Sequence, residues 1–168
     1  MLDSTLKDQL KNIFAGLDAT YTLAISVSGQ HESRNELLEM MNDVADCSEK
    51  IVCEVYEGDG LEFAILKDGL KTGITFRGIP NGHEFTSFLL AILNLDGKGK
   101  NIPDESIRNR VKTLKGPIKL TTYVSLSCTN CPDVVQALNA MATLNGQINH
   151  EMVDGGLNQK EVDALKIQ

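Results

Sequence analysis

Cys128 and Cys131 stand in the run Val124-Ser125-Leu126-Ser127-Cys128-Thr129-Asn130-Cys131-Pro132-Asp133 at Cys-x-x-Cys spacing. Two thiols so placed can form and open a disulfide, so the chemistry they suggest is thiol–disulfide exchange. Upstream, Ile118, Leu120, Val124 and Leu126 are interleaved with Lys119, Thr121, Tyr123 and Ser125, the period of two of a strand. Downstream, Val134, Val135, Leu138, Met141 and Ala142 recur at helical spacing, which sets Pro132 in a first helical turn, where its missing N–H leaves no bond unmade. A helix N-terminus offers unpaired backbone N–H groups and the positive end of the helix dipole, and both favour a thiolate. The exposed first cysteine, Cys128, is therefore expected to be the nucleophile. Cys131, one turn further in, is expected to attack the mixed disulfide that Cys128 forms and to release the reduced substrate.

Structural roles for the pair are less well supported. A disulfide across so short a loop gains little from chain entropy, and the chain has only 4 cysteines and no signal peptide. Zinc needs about four ligands. Cys47 and Cys53 are not at zinc-ligand spacing, and His31, His83 and His150 are scattered, so no metal site is expected. Cys47 and Cys53 themselves read as small core residues.

The 168 residues suffice for one ordinary domain or two small ones, and 42% hydrophobic content can bury a core without staples. A net charge of −7 argues against nucleic acid or an anionic membrane as partner, because both demand a basic face. No run approaches a membrane span, and Met1-Leu2-Asp3-Ser4 lacks the basic and apolar regions of a secretory signal. The expected location is the cytoplasm, where a Cys-x-x-Cys pair is more often catalytic or metal-binding than structural.

The elements that must position the cysteines follow from periodicity. Leu6, Leu10, Ile13, Phe14 and Leu17 predict a helix over about 4–16, capped by Asp3 or Ser4. Residues 21–28 read as a strand. Ser33-Arg34-Asn35-Glu36 has the spacing of a capping box and opens a helix carrying Leu37, Leu38, Met41, Val44 and Ala45. Strands are expected over 51–56, 61–67 and 71–77, the last two joined by Asp68-Gly69 as a hairpin. Asn81-Gly82-His83-Glu84 opens a further helix bearing Phe85, Phe88, Leu89, Ile92 and Leu95, and Gly97-Lys98-Gly99-Lys100 reads as a linker. The pattern then restarts. An offset of 97 residues lays Leu10, Phe14 and Leu17 on Ile107, Val111 and Leu114, Tyr21, Leu23 and Val27 on Ile118, Leu120 and Val124, and the second helix on the one after Pro132. Units of 1–97 and 98–168 are expected from this duplication. His31 and Arg34 occupy the positions of Cys128 and Cys131, so only the second unit can do thiol chemistry there. Residues 61–95 map mostly beyond Gln168, and a β-α-β unit lacking its hairpin is expected to leave a sheet edge and an apolar face uncovered.

A helix, a strand, Cys-x-x-Cys-Pro opening a helix and then a strand make the first half of a thioredoxin-like fold. The fold class expected is α/β, two tandem thioredoxin-like folds with the second incomplete in this sequence. The residues from Tyr123 through Cys128-Thr129-Asn130-Cys131-Pro132-Asp133 to Asn139, with Asp154-Gly155-Gly156 and Gly82-His83-Glu84-Phe85-Thr86-Ser87, carry a more specific likeness. Over its whole length the chain resembles the N-terminal region of the alkyl hydroperoxide reductase flavoprotein, in the family of NADH-dependent peroxiredoxin reductases.

That resemblance implies a disulfide carrier. Electrons would pass from NADH to FAD and a disulfide in a flavoprotein part absent here, then to Cys128 and Cys131, and finally to a two-cysteine peroxiredoxin that reduces hydroperoxides. It also implies a homodimeric parent, and an acidic residue near the disulfide, for which Glu84 is the matching position. The residues alone leave Glu84 open, since its place after Asn81 equally suits a helix cap. Thr129 stands where relatives often carry His. No Gly-x-Gly-x-x-Gly fingerprint is present, so no cofactor is expected in this chain, and FAD and NADH are assigned to the remainder of the parent. Two other classes compete with the carrier: a free-standing thioredoxin- or glutaredoxin-like oxidoreductase of broad specificity, and a non-catalytic docking module.

Overall fold

In the computed structural model, which describes residues 2–167, twelve elements alternate in the expected order. They are α1 (Ser4–Phe14), β1 (Tyr21–Val27), α2 (Arg34–Ala45), β2 (Ile51–Glu57), β3 (Leu61–Lys67), β4 (Leu70–Arg77), α3 (Glu84–Leu95), α4 (Glu105–Thr113), β5 (Ile118–Val124), α5 (Cys131–Leu144), β6 (Ile148–Asp154) and α6 (Gln159–Leu165). Met1 and Gln168, the two ends on which the leader and the truncation were read, lie outside the described residues.

Local chemistry explains most boundaries. Asp3 caps α1 by accepting the Leu6 N–H at 2.8 Å. Asp68 and Gly69 both take positive φ, 50° and 77°, which closes the β3–β4 hairpin through a two-residue turn with Lys67 opposite Leu70. The capping box at Ser33 does not form. Ser33 sits at ψ 8°, outside the extended region a capping residue needs, and Glu36 instead accepts a hydrogen bond from the Asn81 side chain ahead of α3.

All six strands join one sheet in the order β2-β1-β3-β4-β6-β5. Within the first unit β1 runs parallel to β2 and antiparallel to β3, with β3 antiparallel to β4. In the second, β5 runs parallel to β6, and the pairing of Ile118 with Ile148 repeats that of Tyr21 with Ile51 at the 97-residue offset. α5 likewise begins 97 residues after α2. The repeat breaks after β6, where the stretch corresponding to β3 is the helix α6. This is the α/β arrangement of two thioredoxin-like folds joined in one sheet.

The open edge expected from this deficit is present at β5: in the first unit β3 pairs with β1, so a hairpin of the second unit would lie along β5, which ends the sheet. β4 of the first unit pairs in parallel with β6, from Ile74 opposite His150 to Arg77 opposite Val153, and α3 packs along α5. β6, the counterpart of the edge strand β2, thus gains a neighbour from the first unit, and α5 gains a helix to pack on. Among the described residues only β5 and β2 keep an open edge.

One face of the sheet carries the core. Tyr21, Leu23, Ile25, Phe63, Ile65, Ile74, Phe76, Ile148 and Met152 point into it and are buried beneath the helices. Phe63 stacks on Phe76 with centroids 5.2 Å apart, and Phe88 of α3 meets both edge-on. The opposite face, with Ala24, Ser26, Glu62 and Thr75, is only half-buried. α6 lies against that face, held by Glu161, which binds the Arg77 guanidinium and accepts a hydrogen bond from the Tyr123 hydroxyl, while Glu151 completes the cluster at 3.2 Å from Arg77. At the base of the first unit Asp96 accepts the backbone N–H groups of Asp18 and Ala19 at 3.0 Å each and the Tyr21 hydroxyl at 2.9 Å. Burial pushes its pKa up, but Lys98 and these donors outweigh it and hold the carboxyl well below the usual range.

His150 has partners that its sequence position did not reveal. It is buried, with Nδ1 2.7 Å from the Asn139 side-chain oxygen and Nε2 2.9 Å from the Thr122 hydroxyl. Since the amide oxygen only accepts, Nδ1 carries the proton and Nε2 accepts from Thr122, a neutral imidazole. Burial lowers its pKa to about 4. The unfolded chain, with a value near ~6.5, binds this proton between the two pKa values and the folded chain does not. Its contribution to stability is therefore full above about pH 6.5 and is lost as pH falls toward 4. Urea midpoints measured across that window are expected to rise with pH in the parent and to rise less in His150→Gln; equal slopes would refute this account.

Candidate functional site

The redox loop is built by the handover from β5 to α5. After Val124 the chain turns, with the Cys128 N–H donating to the Ser125 carbonyl at 2.9 Å and the Ser125 and Ser127 hydroxyls 2.9 Å apart. Asn130 precedes α5 without a side-chain capping bond, Cys131 is its first residue and Pro132 follows in the first turn, as the spacing required. Cys128 and Cys131 are joined as a disulfide with Cα atoms 5.6 Å apart, both partly buried. The Cys131 backbone N–H donates to Cys128 Sγ at 3.2 Å. A helix-terminal amide therefore points at the sulfur expected to act as nucleophile, where it would stabilise a thiolate once the disulfide opens.

Beside the disulfide a cavity of about 420 Å³ opens between β5 and α6, lined among others by Tyr123, Val124, Gly155 and Val162. The first unit approaches from the other side. Gly82 takes φ +56°, and a Cβ there would lie 3.0 Å from the Leu126 carbonyl oxygen, so this glycine lets the turn before α3 sit directly on the redox loop.

That turn carries Glu84. It is fully buried, and neither carboxyl oxygen has a hydrogen-bond partner. The capping role is thereby excluded, because a capping carboxylate would hold a backbone N–H. Burial drives its pKa upward; the Ser87 hydroxyl, near but outside hydrogen-bond geometry, and then His83 offset part of that. A buried carboxyl of raised proton affinity at the start of α3 thus stands at the same end of the helix pair as Cys131.

At the corresponding loop of the first unit, His31 Nδ1 accepts the Ser33 N–H at 3.1 Å and Arg34 donates to the Val27 carbonyl at 3.0 Å. These side chains close the loop and offer no thiol. Cys47 is buried, donates to the Asp43 carbonyl at 3.1 Å and has a pKa pushed up by burial; Cys53, half-buried, is raised to about 11 by the same cause. Neither is poised as a thiolate. Among the described residues no cluster of three or more His, Cys, Asp or Glu is placed to hold a metal ion, and no helix is long and apolar enough to cross a membrane.

The residue-level reading missed Ser87, Gln136 and Asn101: Gln136 bonds Ser87 across the two units and is itself held by Asn101 within the second. Their contacts span 35 and 49 residues of sequence, and no local spacing announces them.

No family model matches the chain. Over 99% of its length it is 41% identical to the alkyl hydroperoxide reductase AhpF of Pseudomonas aeruginosa, and over 98% it is 40% identical to the AhpF of Staphylococcus epidermidis. It spans 32%, about a third, of the length of each of these relatives. Among solved structures, the N-terminal domain of the Enterococcus faecalis AhpF superposes with a TM-score of 0.89 at 30% identity, covering 100% of this chain and 87% of that one.

Proposed function

Because the chain belongs to the family of the N-terminal domain of the alkyl hydroperoxide reductase AhpF and is a thiol–disulfide oxidoreductase module, we propose that it carries electrons through Cys128 and Cys131 to a two-cysteine peroxiredoxin. The observation that carries this reading is the helix-terminal N–H of Cys131 on Cys128 Sγ. The donor side would be a flavin and nicotinamide part of a longer, homodimeric reductase. The residues present do not fit either cofactor, since the chain has no dinucleotide fingerprint. With its reduced dithiol state at work, the module belongs in the cytoplasm.

The exchange proceeds in two steps. Cys128 thiolate attacks the partner's disulfide, forming a mixed disulfide and expelling one partner thiolate, which takes up a proton. Cys131 then loses its proton to Glu84 and attacks Cys128 Sγ. The Cys128–Cys131 bond forms, the mixed disulfide breaks, and the second partner thiolate leaves and is protonated, so two electrons have passed to the partner. Glu84 serves as the base in this second step, and its raised proton affinity, the result of burial, brings it closer to that of a thiol.

The test supplies the reduced chain to a two-cysteine peroxiredoxin with a hydroperoxide, and in parallel to insulin. Fast peroxide consumption beside slow insulin reduction supports the carrier; equal rates on both overturn it in favour of a general oxidoreductase. In Glu84→Gln, resolution of the mixed disulfide is expected to slow by on the order of 100-fold with the first attack unchanged. An unaltered resolution rate would remove Glu84 from the mechanism.

A further inference from the structure

Glu84 does not stand alone at the junction of the two units. Three segments meet beside it: α3, which carries Glu84 and, one turn later, Ser87; α5, which carries Gln136 one turn after Pro132; and the linker ahead of α4, which carries Asn101. Asn101 donates its side-chain amide to Gln136 Oε1 at 3.2 Å, and Gln136 donates its own amide to Ser87 Oγ at 3.4 Å. Ser87, like Glu84, is fully buried.

The donor directions in this line are set by chemistry. The Asn101 bond leaves Gln136 with its amide nitrogen toward Ser87, and that nitrogen can only donate. Ser87 Oγ must therefore accept, and its own proton is free to point along α3 toward Glu84. A hydroxyl proton so aimed favours the carboxylate over the carboxylic acid. We propose that Gln136, fixed by Asn101, orients the Ser87 hydroxyl toward Glu84, so that Ser87 and Gln136 are the positioning residues that keep Glu84 able to accept the proton of Cys131.

This rests on the reading of Glu84 as the base. Without the Ser87 hydroxyl, burial would act on Glu84 with less opposition, and the carboxyl would hold its proton more firmly. The charged groups on the surrounding elements do little to replace it. His83 precedes it and pulls in the same direction as Ser87, more weakly; Glu36 of α2 is engaged by Asn81; Asp133 in the first turn of α5 is acidic and has no attraction for a carboxylate. The line also gives the first unit, which lacks the redox pair, a chemical part, for it contributes both the base and the hydroxyl that tunes it.

The experiment uses the full chain, reduced, and 5,5′-dithiobis(2-nitrobenzoate) as the oxidant. Cys128 thiolate attacks this aryl disulfide and releases the first thionitrobenzoate; Cys131 then displaces the second as the Cys128–Cys131 disulfide closes. The second absorbance phase reports the step in which Glu84 is the base. In Ser87→Ala and Gln136→Met the acid limb of that phase is expected to move up by about one pH unit, with the first phase unchanged. Ser87→Thr, which retains a hydroxyl, should return the limb toward its original place. Asn101→Gly, which removes the amide at a site of φ 59° that glycine accepts without strain, should give a smaller shift in the same direction. A purely structural role would lower the thermal midpoint without moving the limb. Should Glu84→Gln abolish the limb while Ser87→Ala, Gln136→Met and Asn101→Gly all leave it in place, the positioning proposal is overturned and the base assignment stands. Should Glu84→Gln itself leave the limb in place, both fall.

Discussion

Cys128→Ser is expected to abolish electron transfer to the peroxiredoxin, whereas Cys131→Ser is expected to stop at a covalent complex. Cys128 is the sulfur that receives the Cys131 N–H at 3.2 Å from the start of α5, and a hydroxyl in its place has no accessible anion at neutral pH. The loss should exceed about 1,000-fold, the scale on which removal of a nucleophile is felt. In the proposed exchange Cys131 is the resolving thiol, so without it Cys128 can still attack but cannot be displaced. Non-reducing electrophoresis after mixing each reduced variant with oxidised peroxiredoxin is the direct check. A band at the summed mass with Cys131→Ser, abolished by dithiothreitol and absent with Cys128→Ser, is the expected result. Equal accumulation of the complex in both variants would sink the assignment of roles.

The second large effect lies away from the cysteines, at Phe76→Ala. Phe76 is fully buried on β4, the strand that seams the first unit to β6 of the second, and it stacks on Phe63 at 5.2 Å and 8° while meeting Phe88 at 5.8 Å and 73°. Truncation leaves a cavity under the middle of the sheet that Phe63 and Phe88 cannot both fill, at a cost of about 3–5 kcal/mol. Against a total of about 5–15 kcal/mol for an ordinary domain, that is a large share of the stability. Because β4 is shared, the two units should lose structure together. Circular dichroism in urea and the rate of alkylation of Cys47, buried in the first unit, should therefore report one midpoint, lowered in the variant. Two separated transitions, or a cost below about 1 kcal/mol, would show that β4 does not bind the units into one cooperative body.

Much of the architecture is legible in the chain itself. Alternation at Ile118 to Leu126, helical recurrence after Pro132 and the Asp68-Gly69 turn each express constraints among near neighbours, and the strand and helix boundaries fall within a few residues of those patterns. The 97-residue offset survives into the register itself, with Tyr21 opposite Ile51 and Ile118 opposite Ile148. The redox pair was legible for the same reason: a Cys-x-x-Cys-Pro run is local, and the helix terminus that gives it chemistry is its own next turn.

Relations across the chain were not legible. The sequence pattern of β6 matches that of β2, yet β2 remains at the sheet edge whereas β6 is covered by β4, because the first unit's last strand lies free to pair with it. Periodicity reports which face of a strand is apolar and is silent on which edge meets which neighbour. Glu84 shows the same division. In sequence it has the spacing of a cap; in space both of its oxygens are buried without a partner beside the redox loop, with Ser87, Gln136 and Asn101 drawn in from three segments. The sequence by itself determined the elements, their duplication and the identity of the two thiols, since each depends on residues within a turn or a strand of one another. Only the tertiary structure decided that the two units share one sheet and that Glu84 is buried without a partner, on the helix whose preceding turn meets the redox loop, because burial and strand pairing are set by residues far apart in the chain.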